Sequence, residues 1–146
     1  MLSTAIDPKR RVSSRTSKLR VLVVDDDPIF RKVLMTALPY WEVARDVESA
    51  ADGLEALSKL QHSPFDLLIS DDQMPGMSGR QLLTEIDRLD VEHQPKAILC
   101  SANPFCFAAK QTWPSQLVLV LEKPFPLEQL HEAITCRVFP RGDGDG

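Results

Sequence analysis

The chain has 146 residues, with 17 Lys or Arg against 21 Asp or Glu and a formal net charge of −4. That length suffices for one domain with its own core, without disulfides or a structural metal, and the acidic balance argues against a whole-surface binder of nucleic acid or anionic membrane. No apolar run approaches the ~20 residues of a bilayer-spanning helix and the first residues lack the apolar centre of a signal peptide, so a soluble cytoplasmic chain with protein partners and no membrane partner is expected.

Residues 1–18 are polar, with Lys9, Arg10, Arg11, Arg15 and Lys18 set against Asp7 alone. This composition cannot bury enough surface to order itself and reads as a disordered basic arm. The folded domain is expected over 19–138, followed by a flexible tail, 139–146. Within the domain, Arg20 to Val24 is apolar and β-branched and runs straight into Asp25-Asp26-Asp27-Pro28. Asp27 then Pro28 is an N-cap followed by proline at the first helical position, and Ile29, Val33, Leu34 and Ala37 continue an apolar stripe to Leu38. Pro39 is expected to end or kink this helix. A second strand lies within Glu42 to Ala50, and Asp52-Gly53 marks a turn into a helix that reaches His62 with Leu54, Leu57 and Leu60 on one side.

Leu67-Leu68-Ile69 is a short apolar run that delivers Ser70, Asp71 and Asp72 to the end of a buried strand. Pro75, Gly76 and Gly79 force a loop there, and Ser78 can cap a helix carrying Leu82, Leu83 and Ile86 inward. Ala97 to Ser101 is the fourth apolar strand. Asn103-Pro104 can start a helix through Gln111, but Trp113-Pro114 limits it, so this fourth of five helices is expected to be short or irregular. Leu117 to Leu121 is the fifth strand, ending at Glu122-Lys123-Pro124-Phe125, and the last helix spans Leu127 to Cys136. Cys100, Cys106 and Cys136 are odd in number and lack CxxC spacing, so they read as reduced thiols serving as small core hydrophobes.

Five apolar runs alternating with helical patterns imply a five-stranded parallel sheet covered on both faces, an α/β doubly wound architecture. All carboxyl ends of such a sheet lie on one edge, where Asp25 and Asp26, Asp71, Ser101 and Lys123 would gather. Three carboxylates contribute −3, which Mg²⁺ and Lys123 would balance, and Mg²⁺ prefers few carboxylates supplemented by water and phosphate oxygens. A phosphoryl group arriving on Asp71 would find the cation, the ammonium and the Ser101 hydroxyl placed to stabilise its charge. Taken singly, each has a plainer reading: Asp27 as a cap, the acidic pair as a solvated turn, Ser101 as an ordinary strand end. Their joint placement carries the inference.

This ordered set resembles the receiver domain of the two-component response-regulator family. The resemblance rests on Val21-Leu-Val-Val-Asp25-Asp26-Asp27-Pro28, Ala51-Asp-Gly-Leu-Glu-Ala-Leu57, Asp71-x-x-Met74-Pro75-Gly76-Met-Ser-Gly79, Ser101-Ala102 and Lys123-Pro124-Phe125. It implies a flavodoxin-like strand order of 2-1-3-4-5 and Asp71, three residues before Met74, as phosphoacceptor rather than Asp72. It further implies Asp25, Asp26, Asp71 and the backbone carbonyl of Gln73 as Mg²⁺ ligands, Ser101 and Lys123 as groups engaging the phosphoryl oxygens, and a cis Lys123-Pro124 bond. Two departures stand out. Val120 occupies a position where the family usually carries an aromatic, and Trp113-Pro114-Ser115-Gln116 replaces the usual Gly-Ala before the fifth strand.

The resemblance implies a phosphorylation-dependent switch. A histidine kinase or phosphotransfer protein would donate to Asp71, and altered binding to an output protein, by a monomer or homodimer, would carry the signal. Such a domain is no enzyme in its own right, although it assists its own phosphorylation and dephosphorylation. Alternatives are a receiver piece of a longer regulator and a pseudo-receiver that binds partners without phosphorylation. A phosphatase of the haloacid dehalogenase type, reading Asp25-x-Asp27 as nucleophile and acid, is disfavoured because Asp71-Asp72 precede Ser101 and Lys123.

Overall fold

A computed structural model describes residues 19–103 and 116–140. The basic arm, the helix expected after Asn103 together with Cys106, and residues 141–146 of the tail lie outside the described residues. In chain order the elements are β1 (Leu19–Val24), α1 (Pro28–Tyr40), β2 (Ala44–Ala50), α2 (Gly53–His62), β3 (Leu67–Asp71), α3 (Gly79–Asp87), β4 (Lys96–Ser101), β5 (Leu117–Glu122) and α4 (Leu127–Glu132), which continues as π-helix over Ala133–Val138. The strands form one parallel sheet in the order β2-β1-β3-β4-β5, as expected.

Side chains on a strand alternate between faces, and here that alternation assigns each helix its layer. Val21 and Val23 of β1, Leu67 and Ile69 of β3, and Ile98 and Cys100 of β4 join Leu34 and Leu38 of α1 and Leu130 and Ile134 of the last helix. Their neighbours Leu22, Val24, Leu68, Ala97 and Leu99 pack instead against Ala56 and Leu60 of α2 and Leu82, Leu83 and Ile86 of α3. Both faces of the central strands are covered, which is why β1, β3 and β4 read as nearly unbroken apolar runs, whereas the edge strand β2 is partly exposed and polar.

The caps behave as their chemistry dictates. The Asp27 side chain accepts from Ile29 N with Pro28 next in line, the Asp52 side chain accepts from Glu55 N, and Ser78 forms a reciprocal capping box with Gln81. Pro39 does not stop α1 at Leu38; the helix closes two residues later, where Glu42 takes a φ of 62° and Val43 N donates to Leu38 O. Pro39 has no N–H to give to the carbonyl four residues back, so one helical bond is missing there, and Trp41 N on Ala37 O and Val43 N on Leu38 O close the end instead.

Two apolar assignments change. Ile29 is 72% and Val33 39% exposed, so of the expected stripe of α1 Leu34 and Leu38 are buried, and the partly buried Phe30 packs against the same core where Ile29 was expected. Leu54 is likewise 72% exposed, and α2 buries Gly53, Ala56 and Leu60 with Leu57 at the margin. Both helices carry apolar residues on more than one face, so spacing alone could not select the inner one. Cys100 is a free thiol inside the core and burial pushes it up to about 12, whereas Cys136, also free, is exposed rather than a core residue.

Candidate functional site

The end of β1 is fixed by three hydrogen bonds at Asp25. Asp25 N donates to Ala50 O, Arg31 Nη1 donates to Asp25 O at 2.7 Å, and Asp27 N donates to Asp25 Oδ1 at 2.9 Å. The other carboxylate oxygen, Asp25 Oδ2, is buried and has no hydrogen-bond partner among the described residues. Asp25 is 1% exposed and Asp71 7%, whereas Asp26 faces solvent. Oxygens of Asp25, Asp26 and Asp71 lie within 4.8 Å of one another, the one such acidic cluster among the described residues.

Asp25 and Asp71 meet because they continue the same alternation. Val21, Val23 and Asp25 point to one side of β1, as do Leu67, Ile69 and Asp71 of β3, and these strands are direct neighbours. Lys123 enters from beyond β5. Its N donates to Ser101 O at 2.8 Å, the Lys123-Pro124 bond is cis, and Nζ donates to Asp71 Oδ1 at 3.0 Å while standing 3.8 Å from Asp25 Oδ2. The ammonium also lies 5.2 Å from the centroid of the Phe30 ring, which meets Phe125 edge-on.

The electrostatics follow from crowding acids in a partly dry place. Burial raises Asp25 to about 6, and Asp71 adds to this through its charge, while the Asp27 amide and Lys123 oppose it. Asp71 is raised as well, again chiefly by burial, with the Lys123 hydrogen bond pulling the other way. Burial on its own would lower Lys123, but the bond to Asp71 and the charges of Asp71 and Asp25 hold its ammonium above the usual value. Charge at this edge is therefore unbalanced toward the negative.

A hard, oxygen-seeking cation fits this donor set. The orphaned Asp25 oxygen and three converging carboxylates would be relieved by Mg²⁺, which takes one or two carboxylates readily and keeps its remaining positions for water or phosphate oxygens. The arrangement can thus hold a divalent cation beside a carboxylate, Asp71, whose second neighbour is an ammonium.

Of the remaining sequence candidates, Ser101 lies buried at the end of β4, one residue past Cys100, the partner of Asp71 in the ladder. Among the described residues its hydroxyl accepts from Asn103 N at 3.0 Å and makes no bond to Asp71. Gln73 is exposed on the loop after β3. Asp27 caps α1 by accepting from Ile29 N, the plainer of its two readings.

The sequence reading missed Asp72 and Arg80. Asp72 is 1% exposed and its Oδ1 accepts from both Nε and N of Arg80, each at 3.2 Å. The sequence signals only that an acid next to an apolar strand needs a partner; it does not name Arg80, which sits two residues past the Ser78 cap and reaches Asp72 only through the folded loop.

Comparison with known proteins agrees with this geometry. The family model described as the response regulator receiver domain matches residues 21–135. Sensor histidine kinase RcsC of Salmonella typhi is 28% identical over 133 residues, covering 91% of this chain and 14% of its own length. Response regulator mcs4 of Schizosaccharomyces pombe is 40% identical over 72 residues, covering 49% of this chain and 13% of its own length. The chain thus spans about a seventh of the length of such curated relatives. Among solved structures, the response regulator TrrA from Thermotoga maritima in complex with Mg²⁺-BeF is 31% identical, with a TM-score of 0.67 over 80% of this chain and 96% of its own. The chemotaxis response regulator CheY4 of Vibrio cholerae is 28% identical, with a TM-score of 0.64 over 80% of this chain and 95% of its own. No helix among the described residues is long and apolar enough to cross a membrane. The parallel sheet in 2-1-3-4-5 order, the acidic edge and the family match together place this chain in the response regulator receiver domain family of two-component signalling.

Proposed function

We propose that the chain is a phosphorylation switch in which Asp71 accepts a phosphoryl group with Mg²⁺ present and the modified domain changes its binding to a protein partner. The observation that carries this reading is the Asp71 carboxylate held between the Lys123 ammonium at 3.0 Å and the acidic pair Asp25/Asp26. Receiver domains interact with histidine kinases or phosphotransfer proteins, so the donor is a phosphohistidine. An Asp71 oxygen attacks phosphorus, the new P–O bond forms as the P–N bond breaks, and the leaving imidazole takes its proton from solvent. Asp25, Asp26, Asp71 and the Gln73 carbonyl would hold Mg²⁺. When bound, that ion supplies positive charge to the transferring phosphoryl oxygens.

The chain's own residues do the rest. Lys123 is already poised over the acceptor and exchanges part of its bond to Asp71 for one to a phosphoryl oxygen, a charge-assisted bond of similar strength. Ser101 sits on the adjoining strand end, and swinging its hydroxyl from Asn103 N toward Asp71 gives the phosphoryl group a donor and moves the start of the next loop. The same residues assist hydrolysis, so the domain modulates its own lifetime without being a turnover enzyme for other substrates. Mass spectrometry after incubation with acetyl phosphate and Mg²⁺ tests this: one labile phosphoryl group on the wild type, absent in Asp71→Asn, is expected. No addition to the wild type would leave only phosphorylation-independent partner binding.

A second reading concerns the whole protein. Because RcsC and mcs4 match this chain over only 14% and 13% of their lengths, the domain also fits as the receiver part of a longer regulator or kinase, with the same acceptor chemistry. The length of the native reading frame decides between the two.

A further inference from the structure

We propose that Asp72 and Arg80 are a positioning pair: they lock the base of the loop 73–78 onto the acceptor strand, and so fix the place from which the Gln73 carbonyl would serve a bound divalent cation. This rests on the reading of Asp71 as acceptor beside Mg²⁺ and deepens it.

Strand alternation makes Asp72 the opposite of its neighbour. Asp71 points toward the α1 and α4 layer, where Lys123 waits, and Asp72 turns to the other layer, beneath the start of α3. Its carboxylate is not part of the acidic cluster, so it cannot replace Asp71 as acceptor or Asp26 as ligand. A carboxylate that buried is costly to keep unless it is well bonded, and retaining it needs a local reason.

The bonds of Asp72 supply that reason. Asp72 N donates to Cys100 O at 2.9 Å, fastening it to β4, and Gly79 N donates to Asp72 O at 2.8 Å. Asp72 Oδ1 then takes Arg80 N and Arg80 Nε, both at 3.2 Å. One residue thus joins the end of the acceptor strand to the first turn of α3 through three bonds, closing the six-residue loop between them. The positive end of the helix favours an acid at this place. Gly79 allows the closure, because a Cβ there would stand 2.6 Å from Asp71 O. Gln73, the next residue along, therefore leaves a fixed point. Met74, buried against the α2 and α3 layer, pins the loop again one residue later.

The test compares Asp72→Ala, Asp72→Asn and Arg80→Met with the wild type by amide hydrogen exchange without metal and by calorimetric Mg²⁺ titration. In Asp72→Ala, the Gly79 and Arg80 amides are expected to exchange at least about tenfold faster while those of Val21 to Val24 keep their protection. Its Mg²⁺ dissociation constant should rise about tenfold, the usual size of losing a group that orients a ligand. Asp72→Asn keeps an acceptor oxygen for both Arg80 donors and is expected to stay within about threefold of the wild type, which separates positioning from simple loss of negative charge. Arg80→Met, which leaves the Arg80 N bond in place, should fall between them and serves if Asp72→Ala does not fold. Unchanged Mg²⁺ affinity in both Asp72→Ala and Arg80→Met, or equal loss in Asp72→Ala and Asp72→Asn, overturns the proposal. A wild type that binds no Mg²⁺ would instead overturn the reading of the site itself, and the positioning role with it.

Discussion

Asp71 and Lys123 stand 52 residues apart in sequence and are joined by a 3.0 Å hydrogen bond at the carboxyl edge of the sheet. Neither belongs to a neighbouring element: one ends β3 and the other follows β5, with β4 between them. Only the parallel topology brings them together, since it puts every strand's carboxyl end on one side. The bond neutralises part of an acidic edge whose other members, Asp25 and Asp26, come from β1.

Removing the ammonium should expose that imbalance. In Lys123→Met, Asp71 loses a charge-assisted hydrogen bond and Asp25 loses a compensating charge, so stability should fall by about 2 kcal/mol at pH 8. The loss should shrink toward pH 4.5, where Asp25 is protonated and repulsion fades. Urea unfolding at the two pH values measures it, and an equal loss at both would contradict the electrostatic account. Phosphorylation by acetyl phosphate should slow by at least about a hundredfold in the same variant.

Asp25 predicts a pH dependence with a definite sign. Its folded value, about 6, lies above the ordinary 3.8, so the folded state favours the protonated form. The stability this confers is present in full below about pH 4 and is lost as pH rises through about 6. The gap corresponds to a cost of about 3 kcal/mol for the metal-free protein at neutral pH. Asp25→Asn should therefore be more stable than the wild type at pH 7.5 in EDTA, with the advantage vanishing near pH 4.5. Mg²⁺ reverses the order by engaging the ionised carboxylate, and its apparent affinity for the wild type should weaken as pH falls below about 6.

The acceptor assignment separates two adjacent acids. Asp71→Asn should abolish labelling by acetyl phosphate. Asp72→Asn should be labelled at a rate within about threefold of the wild type, because the carboxylate of Asp72 is turned toward Arg80 and away from the cluster. Intact-mass spectrometry of both variants checks this, and labelling that persisted in Asp71→Asn would move the acceptor elsewhere.

The edge was legible in the sequence because strand ends announce themselves: apolar runs stop at Asp25, Asp71 and Ser101, and a doubly wound sheet aligns such stops. The parallel sheet and the caps of α1 and α3 were legible from such local signals, whereas the strand order came only with the family resemblance. The inner face of α1 was legible only in part: the spacing marks Leu34 and Leu38 as buried, as they are, but places Ile29 and Val33 with them although they face outward, and tertiary packing alone chooses Phe30 over Ile29. The partner of Asp72 was equally hidden: alternation shows that Asp71 and Asp72 diverge, but Arg80 becomes its partner only once the loop has folded back. The contact of Lys123 with Phe30 depends on the same packing choice, because turning α1 to bury Ile29 would have carried Phe30 away from the site.

Two glycines that follow Asp71, one in the loop and one at the start of α3, should respond to alanine in opposite proportion to their apparent room. At Gly79, in the first turn of α3, alanine would ordinarily gain up to about 1 kcal/mol in helix propensity. Here the new Cβ would meet Asp71 O at 2.6 Å and Asp72 Cα at 3.0 Å, both main-chain atoms that cannot rotate aside. The helix start must therefore retreat from the acceptor strand, straining the Gly79 N to Asp72 O bond. A net loss of about 3 kcal/mol is expected, the upper range for forced overpacking, together with weakened Mg²⁺ binding as Gln73 shifts. At Gly76, nothing lies within 4 Å of the added carbon, but φ is +83°, so only the left-handed strain of about 1 kcal/mol applies. Chemical denaturation of both variants, with Mg²⁺ titration alongside, should show Gly79→Ala impaired in stability and cation binding and Gly76→Ala in stability alone. If the two were equally mild, α3 would not be pressed against the acceptor strand as tightly as the Gly79 contact requires.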